Sequence, residues 1–208
     1  MHRQQETTVL AMTGIARRCR AGGFTLIELM VTLGIAAILL TLAAPNLSQF
    51  QRNSQLTSAT NSLVGALNAA RAEAMKRGKN TFVVPTGNGN GNQWASGWVV
   101  FVDIDRSQTY GAGNDFTVLE QTALPGFITV AGTGTANESP AYVMFDSSGY
   151  PRQKDGSFSN LTINLSRSDL SGANQIAETR RIKIVATGRV TTCRPTSSSD
   201  TTCPASDS

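Results

Sequence analysis

The chain has 208 residues and carries 18 lysines and arginines against 14 aspartates and glutamates, a formal net charge of +4. Most of this excess lies in residues 1–23, so the remainder is nearly neutral and is long enough for one small globular domain. The only histidine, His2, also lies there, which leaves residues 24–208 without the commonest general base and metal ligand. We therefore expect no enzyme, no catalytic residue, no cofactor and no metal.

The first marked feature is an apolar stretch over residues 24–44, in which Glu28 is the only charged residue. As a helix it would span about 30 Å, the thickness of a bilayer core. It is longer than the apolar part of a secretory signal peptide, and the Gly22-Gly23 pair precedes it rather than following it. A plain membrane anchor does not account for Glu28, because an ionisable group in lipid is costly and points to function. The alternative is that Glu28 lies at the level of the headgroups.

The start of this stretch resembles the class III leader junction of type IV pilins and type II secretion pseudopilins. The motif that carries the resemblance is Gly23-Phe24-Thr25-Leu26-Ile27-Glu28-Leu29. The resemblance implies that a prepilin peptidase cuts between Gly23 and Phe24 and methylates the new amino group of Phe24. It also implies that Glu28 guides assembly by pairing with the N-terminal amine of a neighbouring subunit. Such a pair would make a carboxylate among helices in lipid tolerable.

The same resemblance sets the expected topology. Residues 1–23 would be a cleaved leader, and Arg17, Arg18 and Arg20 would hold the N-terminus in the cytoplasm by the positive-inside rule. The protein would then be a single-pass protein of the bacterial inner membrane before assembly, with its globular domain in the periplasm.

A helical pattern continues beyond Pro45. Apolar residues recur at helical spacing on one face, namely Leu56, Leu63, Leu67, Ala70 and Ala74. Gly78 follows two basic residues and is a typical helix end. We predict one helix over residues 24–77. Its apolar half, 24–44, would lie in a membrane or filament, and its amphipathic half, 45–78, would pack on a sheet.

The remaining sequence favours short strands separated by Asn, Gly, Ser and Asp clusters. The predicted strands are 81–84, 98–102, 116–119, 127–130, 141–145, 161–165 and 181–185. The Gly- and Asn-rich run 87–92 lacks the lysine of a phosphate-binding loop and is predicted to be a turn. One helix followed by many strands indicates an α+β fold with an antiparallel sheet, the arrangement of the pilin fold. This domain would cover residues 79–194, with a Ser- and Thr-rich tail over 195–208.

Three later motifs are similar to those of the GspH/FimT group of minor pilins. They are Leu67-Asn68-Ala69-Ala70-Arg71-Ala72-Glu73-Ala74, Gly97-Trp98-Val99-Val100-Phe101-Val102-Asp103, and Ile182-Lys183-Ile184-Val185 with Thr187-Gly188-Arg189.

Two groups of residues suggest metal ligands. Asp103 and Asp105 alternate, with Asp115 nearby, and alternating acids in a turn can bind calcium, but no EF-hand spacing follows, and a solvated turn is the favoured interpretation. Cys193 and Cys203 remain once Cys19 is removed with the leader. In an oxidising periplasm we expect a disulfide between them, because two thiols without histidine or further cysteine make a poor zinc site.

A basic cluster near the C-terminus is the one candidate for nucleic-acid binding. Its members are Arg180, Arg181, Lys183, Arg189 and Arg194. Basic tails bind phosphates through charge. The resemblance implies DNA binding through a Gly-Arg-x-Arg stretch, but here Gly188-Arg189 is followed by Val190 and Thr191. Because aromatic residues for base stacking are also absent from this tail, a solvated strand and tail is the favoured interpretation.

We conclude that the sequence predicts a minor type IV pilin that joins, primes or caps a pilus. Its partners would be other pilins, contacted through the N-terminal helix, together with the prepilin peptidase and the inner membrane. A minor pseudopilin at the tip of a type II secretion pseudopilus is the first alternative. A DNA receptor for uptake is the second.

Overall fold

The computed structural model describes residues 23–87 and 93–205, except for the side chains of residues 42–46. His2, Cys19, most of the expected leader and most of the Gly- and Asn-rich run therefore lie outside the described residues. The chain divides into two compact units, Met1–Pro45 and Asn46–Ser208. The long helix, α1, runs from Leu26 to Arg77 and contributes residues to both units.

The helix α1 confirms the prediction for residues 24–77 to within two residues. Thr25 precedes it, and the Thr25 hydroxyl oxygen accepts a hydrogen bond from the backbone N–H of Glu28 at 3.3 Å. A threonine hydroxyl that accepts from the N–H three residues later is an N-cap, which satisfies a free N–H group at the start of the helix. At the other end, the N–H of Gly78 still reaches the carbonyl of Ala74 at 2.9 Å, and the chain then leaves the helix.

The second unit contains nine strands and a short second helix within its described residues. In chain order they are β1 (Thr81–Pro85), β2 (Trp98–Val102), β3 (Phe116–Gln121), β4 (Ile128–Gly132), β5 (Val143–Phe145), β6 (Pro151–Arg152), β7 (Leu161–Arg167), α2 (Gly172–Ala177), β8 (Arg180–Ile184) and β9 (Val190–Cys193).

These strands form two antiparallel sheets rather than a single one. The first sheet has the order β3-β2-β1-β5-β6, and the second has the order β4-β7-β8-β9. The sequence prediction placed β2 at its observed bounds and the other predicted strands within two residues of their observed ends. It did not include β6, β9 or α2, because each of these elements is too short to show a hydrophobic period.

One core fills the space between α1 and both sheets. The predicted helix face is fully buried, at Leu56, Leu63, Leu67, Ala70 and Ala74. Against it pack residues of both sheets, among them Val83, Val100 and Phe145 from the first and Ile163, Leu165 and Ile182 from the second.

A smaller apolar cluster covers the other face of the first sheet. It consists of Phe82, Val99, Phe101, Tyr142 and Met144. Because successive residues of a strand point to opposite faces, Trp98 and Val100 enter the main core while Val99 and Phe101 enter this cluster. Burial on both faces explains why β2 is apolar throughout.

Candidate functional site

The predicted processing junction lies at the start of the described chain. Phe24 is 83% exposed, and Gly23 and Glu28 are exposed as well. The large apolar side chains between Leu26 and Leu40 are also exposed within the first unit. An uncovered apolar surface of this size indicates a surface that binds something apolar. Nowhere in the described residues does a helix combine the length and the apolar character that a membrane crossing requires.

In the second unit, Arg167 forms the most deeply buried ion pair. Its side chain is fully buried, and Nε donates to Asp169 at 3.0 Å. The guanidinium also donates to the side chains of Gln49 and Asn53 at 2.7 and 2.6 Å, and Asp169 accepts from Arg52 at 2.7 Å. The hydrogen bond from Arg167 holds the pKa of Asp169 well below its usual range, although burial alone would raise it. This network attaches the end of β7 to α1.

The predicted basic cluster is divided by the fold. Arg180 and Arg194 both pair with Glu178, at 3.5 and 3.0 Å, and Arg194 also donates to the carbonyl of Ala177. Burial and the neighbouring Arg194 lower the pKa of Arg180. These two arginines therefore lie beside each other, with one carboxylate already shared between them.

Arg181 does not lie on an open surface, which corrects the expectation that it belongs to an accessible basic cluster. Its side chain donates to the carbonyl of Cys203 and the residue is 7% exposed. The amide of Asn164 on β7 donates to the carbonyl of Ala205 at 3.5 Å. The segment 195–205 thus crosses the outer face of the second sheet and covers Arg181. Of the other members, Lys183 is half-buried and Arg189 is exposed in the turn after β8.

The disulfide between Cys193 and Cys203 is present, as the sequence predicted. It joins the end of β9 to the tail, and Cys203 is buried. Asp200 organises the loop in between, because its carboxylate accepts hydrogen bonds from Thr196 and Thr202. These bonds hold the pKa of Asp200 well below its usual range.

The three acids after β2 lie together. One carboxylate oxygen from each of Asp103, Asp105 and Asp115 lies within 4.8 Å of the others. Asp103 is buried, Asp115 is half-buried and Asp105 is exposed. Burial raises the pKa of Asp103, and the nearby charge of Asp115 acts in the same direction. Within the described residues, this is the one group of acids, histidines and cysteines close enough to hold a metal ion.

Arg71 on α1 connects the turn that contains Gly149 with the turn that contains Thr187, a role that its place in the sequence did not predict. It lies in the first of the three motifs and contacts the turn that contains Gly188, in the third motif. Gly188 has a φ of +79°, and a Cβ there would lie 2.3 Å from the carbonyl oxygen of Gly149. A pattern that pairs an arginine in the helix with a Thr-Gly-Arg turn is the signal that could have suggested this contact.

Comparison with known proteins gives two matches to family models. Residues 59–188 match the family described as Type II transport protein GspH, and residues 18–44 match the prokaryotic N-terminal methylation motif. The chain is 38% identical over 94 residues to the pilin-like protein PilA1 of Thermus thermophilus. That match covers 45% of this chain and 56% of the relative, so the chain spans little more than half of the relative's length.

Two solved structures are also similar. The type IV minor pilin FimU of Pseudomonas aeruginosa matches with a TM-score of 0.48 at 14% identity, over 68% of this chain and 90% of FimU. The minor pseudopilin EpsH of the Vibrio cholerae type 2 secretion system matches with a TM-score of 0.44 at 14% identity, over 66% of this chain and 94% of EpsH.

The two family matches confirm the resemblance inferred from the leader junction and from the later motifs. The GspH match alone spans more than half of the chain and includes roughly the last third of α1 and most of both sheets. This protein therefore belongs to the GspH family of type IV pilin-like proteins and pseudopilins.

Proposed function

We propose that this protein is a minor type IV pilin that is cut between Gly23 and Phe24, is methylated at Phe24, and joins or caps a pilus through α1. One observation carries the proposal: the methylation motif leads directly into a helix whose apolar side chains are uncovered in the first unit. Such a surface is stable in water only when lipid or other subunits cover it. Members of the family are structural proteins, and we propose no catalytic role.

Glu28 is proposed to be the residue that guides docking. It is the only charged residue of the stretch 24–44 and lies in the third position of α1, next to the new N-terminus that cleavage would create. The backbone N–H of Glu28 donates to the Thr25 hydroxyl. The residue itself is exposed. A carboxylate in apolar surroundings needs a cation, and the amine of a neighbouring Phe24 has the required charge.

We further propose that residues 24–44 lie in the inner membrane before assembly, with the prepilin peptidase as a transient partner. The support is the sequence of residues 24–44, an apolar stretch in which Glu28 is the only charged residue. The leader arginines would keep the N-terminus in the cytoplasm. A periplasmic second unit is consistent with the disulfide, because such bonds persist in oxidising compartments.

The test separates processing from docking. Gly23→Leu should leave a precursor that migrates above the mature protein on a gel. Glu28→Gln should be cut normally but should be lost from the filament fraction, because its amide no longer pairs with the amine. The matched control is Glu138→Gln, an exposed glutamate in the second unit. A normal mature band for Gly23→Leu, or normal filament incorporation of Glu28→Gln, would contradict the corresponding part of the proposal.

The alternative is a minor pseudopilin of a type II secretion system, which the description of the matched family favours. The two systems would use the same helix α1 and the same Gly23-Phe24 junction, and they would differ in the subunits that this protein contacts. Crosslinking in cells from a cysteine placed near Glu28 should trap pilins in the first case and pseudopilins in the second.

A DNA receptor is the third candidate. It is supported by the exposed Arg189 and by the adjacent Arg180 and Arg194, although Glu178 already pairs with the latter two. We rank it below the two assembly roles because the fold removes Arg181 from the accessible cluster.

A further inference from the structure

We propose that Asp103, Asp105 and Asp115, in the segment between β2 and β3, form a binding site for a divalent cation, and that the cation is Ca²⁺. This role is separate from filament assembly through α1. It also departs from the sequence-based expectation of a solvated turn.

The first argument is charge. Three carboxylate oxygens lie within 4.8 Å of one another. Among the described residues, neither a lysine nor an arginine forms an ion pair with any of the three acids. Like charges at this separation repel. Backbone N–H groups of Ile104, Ser107, Gln108 and Gly111 already donate to these carboxylates, and a bound cation would offset the remaining repulsion.

The second argument is an unpartnered oxygen. Asp103 is 2% exposed, and its Oδ2 accepts a hydrogen bond from the backbone N–H of Gln108 at 3.2 Å. Its Oδ1 is buried and has no hydrogen-bond donor among the described residues. A carboxylate oxygen that has lost its water without gaining a partner is costly. A cation held between the three acids supplies that partner.

The third argument is the order of oxygen-bearing residues. An EF-hand loop takes ligands from its positions one, three, five and seven, and uses glycine at position six. Counted from Asp103, position three is Asp105, position six is Gln108, and positions five and seven are Ser107 and Thr109. The Ser107 hydroxyl donates to the Thr109 carbonyl at 3.0 Å, so the likeness to an EF-hand loop is limited to its first and third positions and to the turn at position six. Gln108 has a φ of +58°, the conformation that glycine adopts easily at that position. The chain departs from the EF-hand at its end, because position twelve is Asn114 and the last acid, Asp115, is at position thirteen.

Asp115 is fixed at the far end of the segment. Its Oδ1 accepts from the N–H of Ile104 at 3.0 Å, and its Oδ2 accepts from the N–H of Gly111 at 2.9 Å. Each oxygen retains a lone pair for a metal ion. Asp105 is exposed, which leaves one side of the site open to water ligands. All-oxygen ligands with irregular spacing suit Ca²⁺ better than Mg²⁺, which requires near-octahedral geometry, or Zn²⁺, which prefers nitrogen and sulfur.

A bound ion would fix the segment 103–115, which packs on the smaller apolar cluster of the first sheet. The same segment carries Tyr110, whose ring lies 5.2 Å from the ring of Phe101. The Gln108 amide also donates to the carbonyl of Lys154 at 3.3 Å. Fixing the segment therefore protects the outer face of the first sheet from water, and we expect Ca²⁺ to stabilise the whole second unit.

The experiment uses the full-length chain in detergent, stripped with EDTA and then titrated with CaCl₂. Terbium luminescence, with Ca²⁺ as competitor, measures binding, and thermal unfolding measures stability. At a hundredfold excess over Kd, Ca²⁺ should raise Tm by about 5–10 °C. Asp105→Asn should weaken Ca²⁺ binding at least tenfold and remove most of the Tm shift, because it removes an exposed ligand without altering the core.

The matched control is Asp155→Asn. Asp155 is exposed and accepts from the N–H of Ser157 at 2.9 Å, as Asp105 accepts from the N–H of Ser107 at 2.9 Å. It should bind Ca²⁺ like the unchanged protein. The proposal is overturned if millimolar Ca²⁺ leaves Tm unchanged, or if Asp105→Asn responds to Ca²⁺ as the unchanged protein does. A response to Mg²⁺ equal to that to Ca²⁺ would overturn the assignment of the ion.

Discussion

Arg71 on α1 donates from Nε to the carbonyl oxygen of Gly149 at 2.9 Å, and from Nη2 to the carbonyl of Thr187 at 3.5 Å. The first carbonyl lies in the turn between β5 and β6, and the second lies in the turn between β8 and β9. These turns belong to different sheets. One helical side chain therefore fastens both sheets to α1, and it joins two of the sequence motifs of this family.

We expect Gly188→Ala to destabilise the protein, because its Cβ would meet the carbonyl of Gly149 at 2.3 Å and would push against Arg71. Gly156→Ala is a matched control, since Gly156 also has a positive φ but has open space around it. Backbone strain alone should cost both variants about 1 kcal/mol, and the clash should add a further 1–3 kcal/mol at Gly188 only. Urea unfolding of the two variants measures the difference. Equal losses would show that Gly188 is needed for its backbone conformation alone.

Asp169 should make stability dependent on pH. Its pKa is depressed in the folded state, chiefly by Arg167, so its contribution is complete above the unfolded value of about 3.9 and is lost as the pH falls below it. At pH 7, Asp169→Asn should lower the free energy of unfolding by about 1–3 kcal/mol, because Arg167 loses its counter-charge but keeps its hydrogen bonds to Gln49 and Asn53.

Near pH 2 the difference between Asp169→Asn and the unchanged protein should shrink. Urea midpoints at both pH values test this expectation. Glu73→Gln is the control, since it breaks ion pairs with Lys76 and Arg77 at the surface and should have little effect. A pH-independent difference for Asp169→Asn would contradict the assignment of the effect to this carboxyl.

The disulfide should stabilise both the tail and the sheet beneath it. Replacing Cys193 and Cys203 with alanine should lower the free energy of unfolding by about 2–3 kcal/mol, chiefly through the closed loop. The side chain of Arg181 should also become more accessible as the tail moves away from it. Thiol labelling of the protein purified without reductant should find both cysteines blocked until reduction. Reactive thiols in the unreduced protein would contradict the disulfide.

The DNA hypothesis makes a sharp prediction for two exposed arginines. Replacing Arg189 and Arg194 with glutamine should weaken DNA retention by the full-length protein at low salt, because each lost phosphate contact removes a favourable charge interaction. Arg106→Gln is the control, as Arg106 is exposed but lies in the segment after β2. DNA retention that is unchanged by the double replacement would eliminate the receptor role.

Much of the fold was predictable because it depends on local pattern. The period of apolar residues from Leu56 to Ala74 defined the buried face of α1, and the unbroken apolar run 98–102 defined a strand buried on both faces. The disulfide was predictable because only two cysteines follow residue 23, and they lie ten residues apart. By contrast, the division into two sheets depends on which strands pair, and strands with similar patterns do not determine their own partners.

The candidate sites were less predictable, because the exposure and spacing of their side chains depend on which other segments of the chain pack against them. Arg181 and Lys183 occupy alternate positions of β8 and so point to the same side of the sheet. The tail that covers Arg181 is rich in Ser and Thr and shows no packing pattern in the sequence. Likewise, Asp103 and Asp115 are separated by a segment whose path is set by backbone hydrogen bonds to their carboxylates. The sequence grouped these acids as a possible calcium site, but how closely their carboxylates approach depends on the path of that segment.

The sequence by itself determined the processing motif, the long helix with its apolar and amphipathic halves, the strand-rich domain and the cysteine pair. Each of these depends on residue type and short-range period, which are properties of the chain alone. Only the tertiary structure decided that Arg181 is buried, that Arg71 joins two turns, and that three acids share one site. These relationships depend on contacts between segments far apart in the chain, and they arise only when the core brings those segments together.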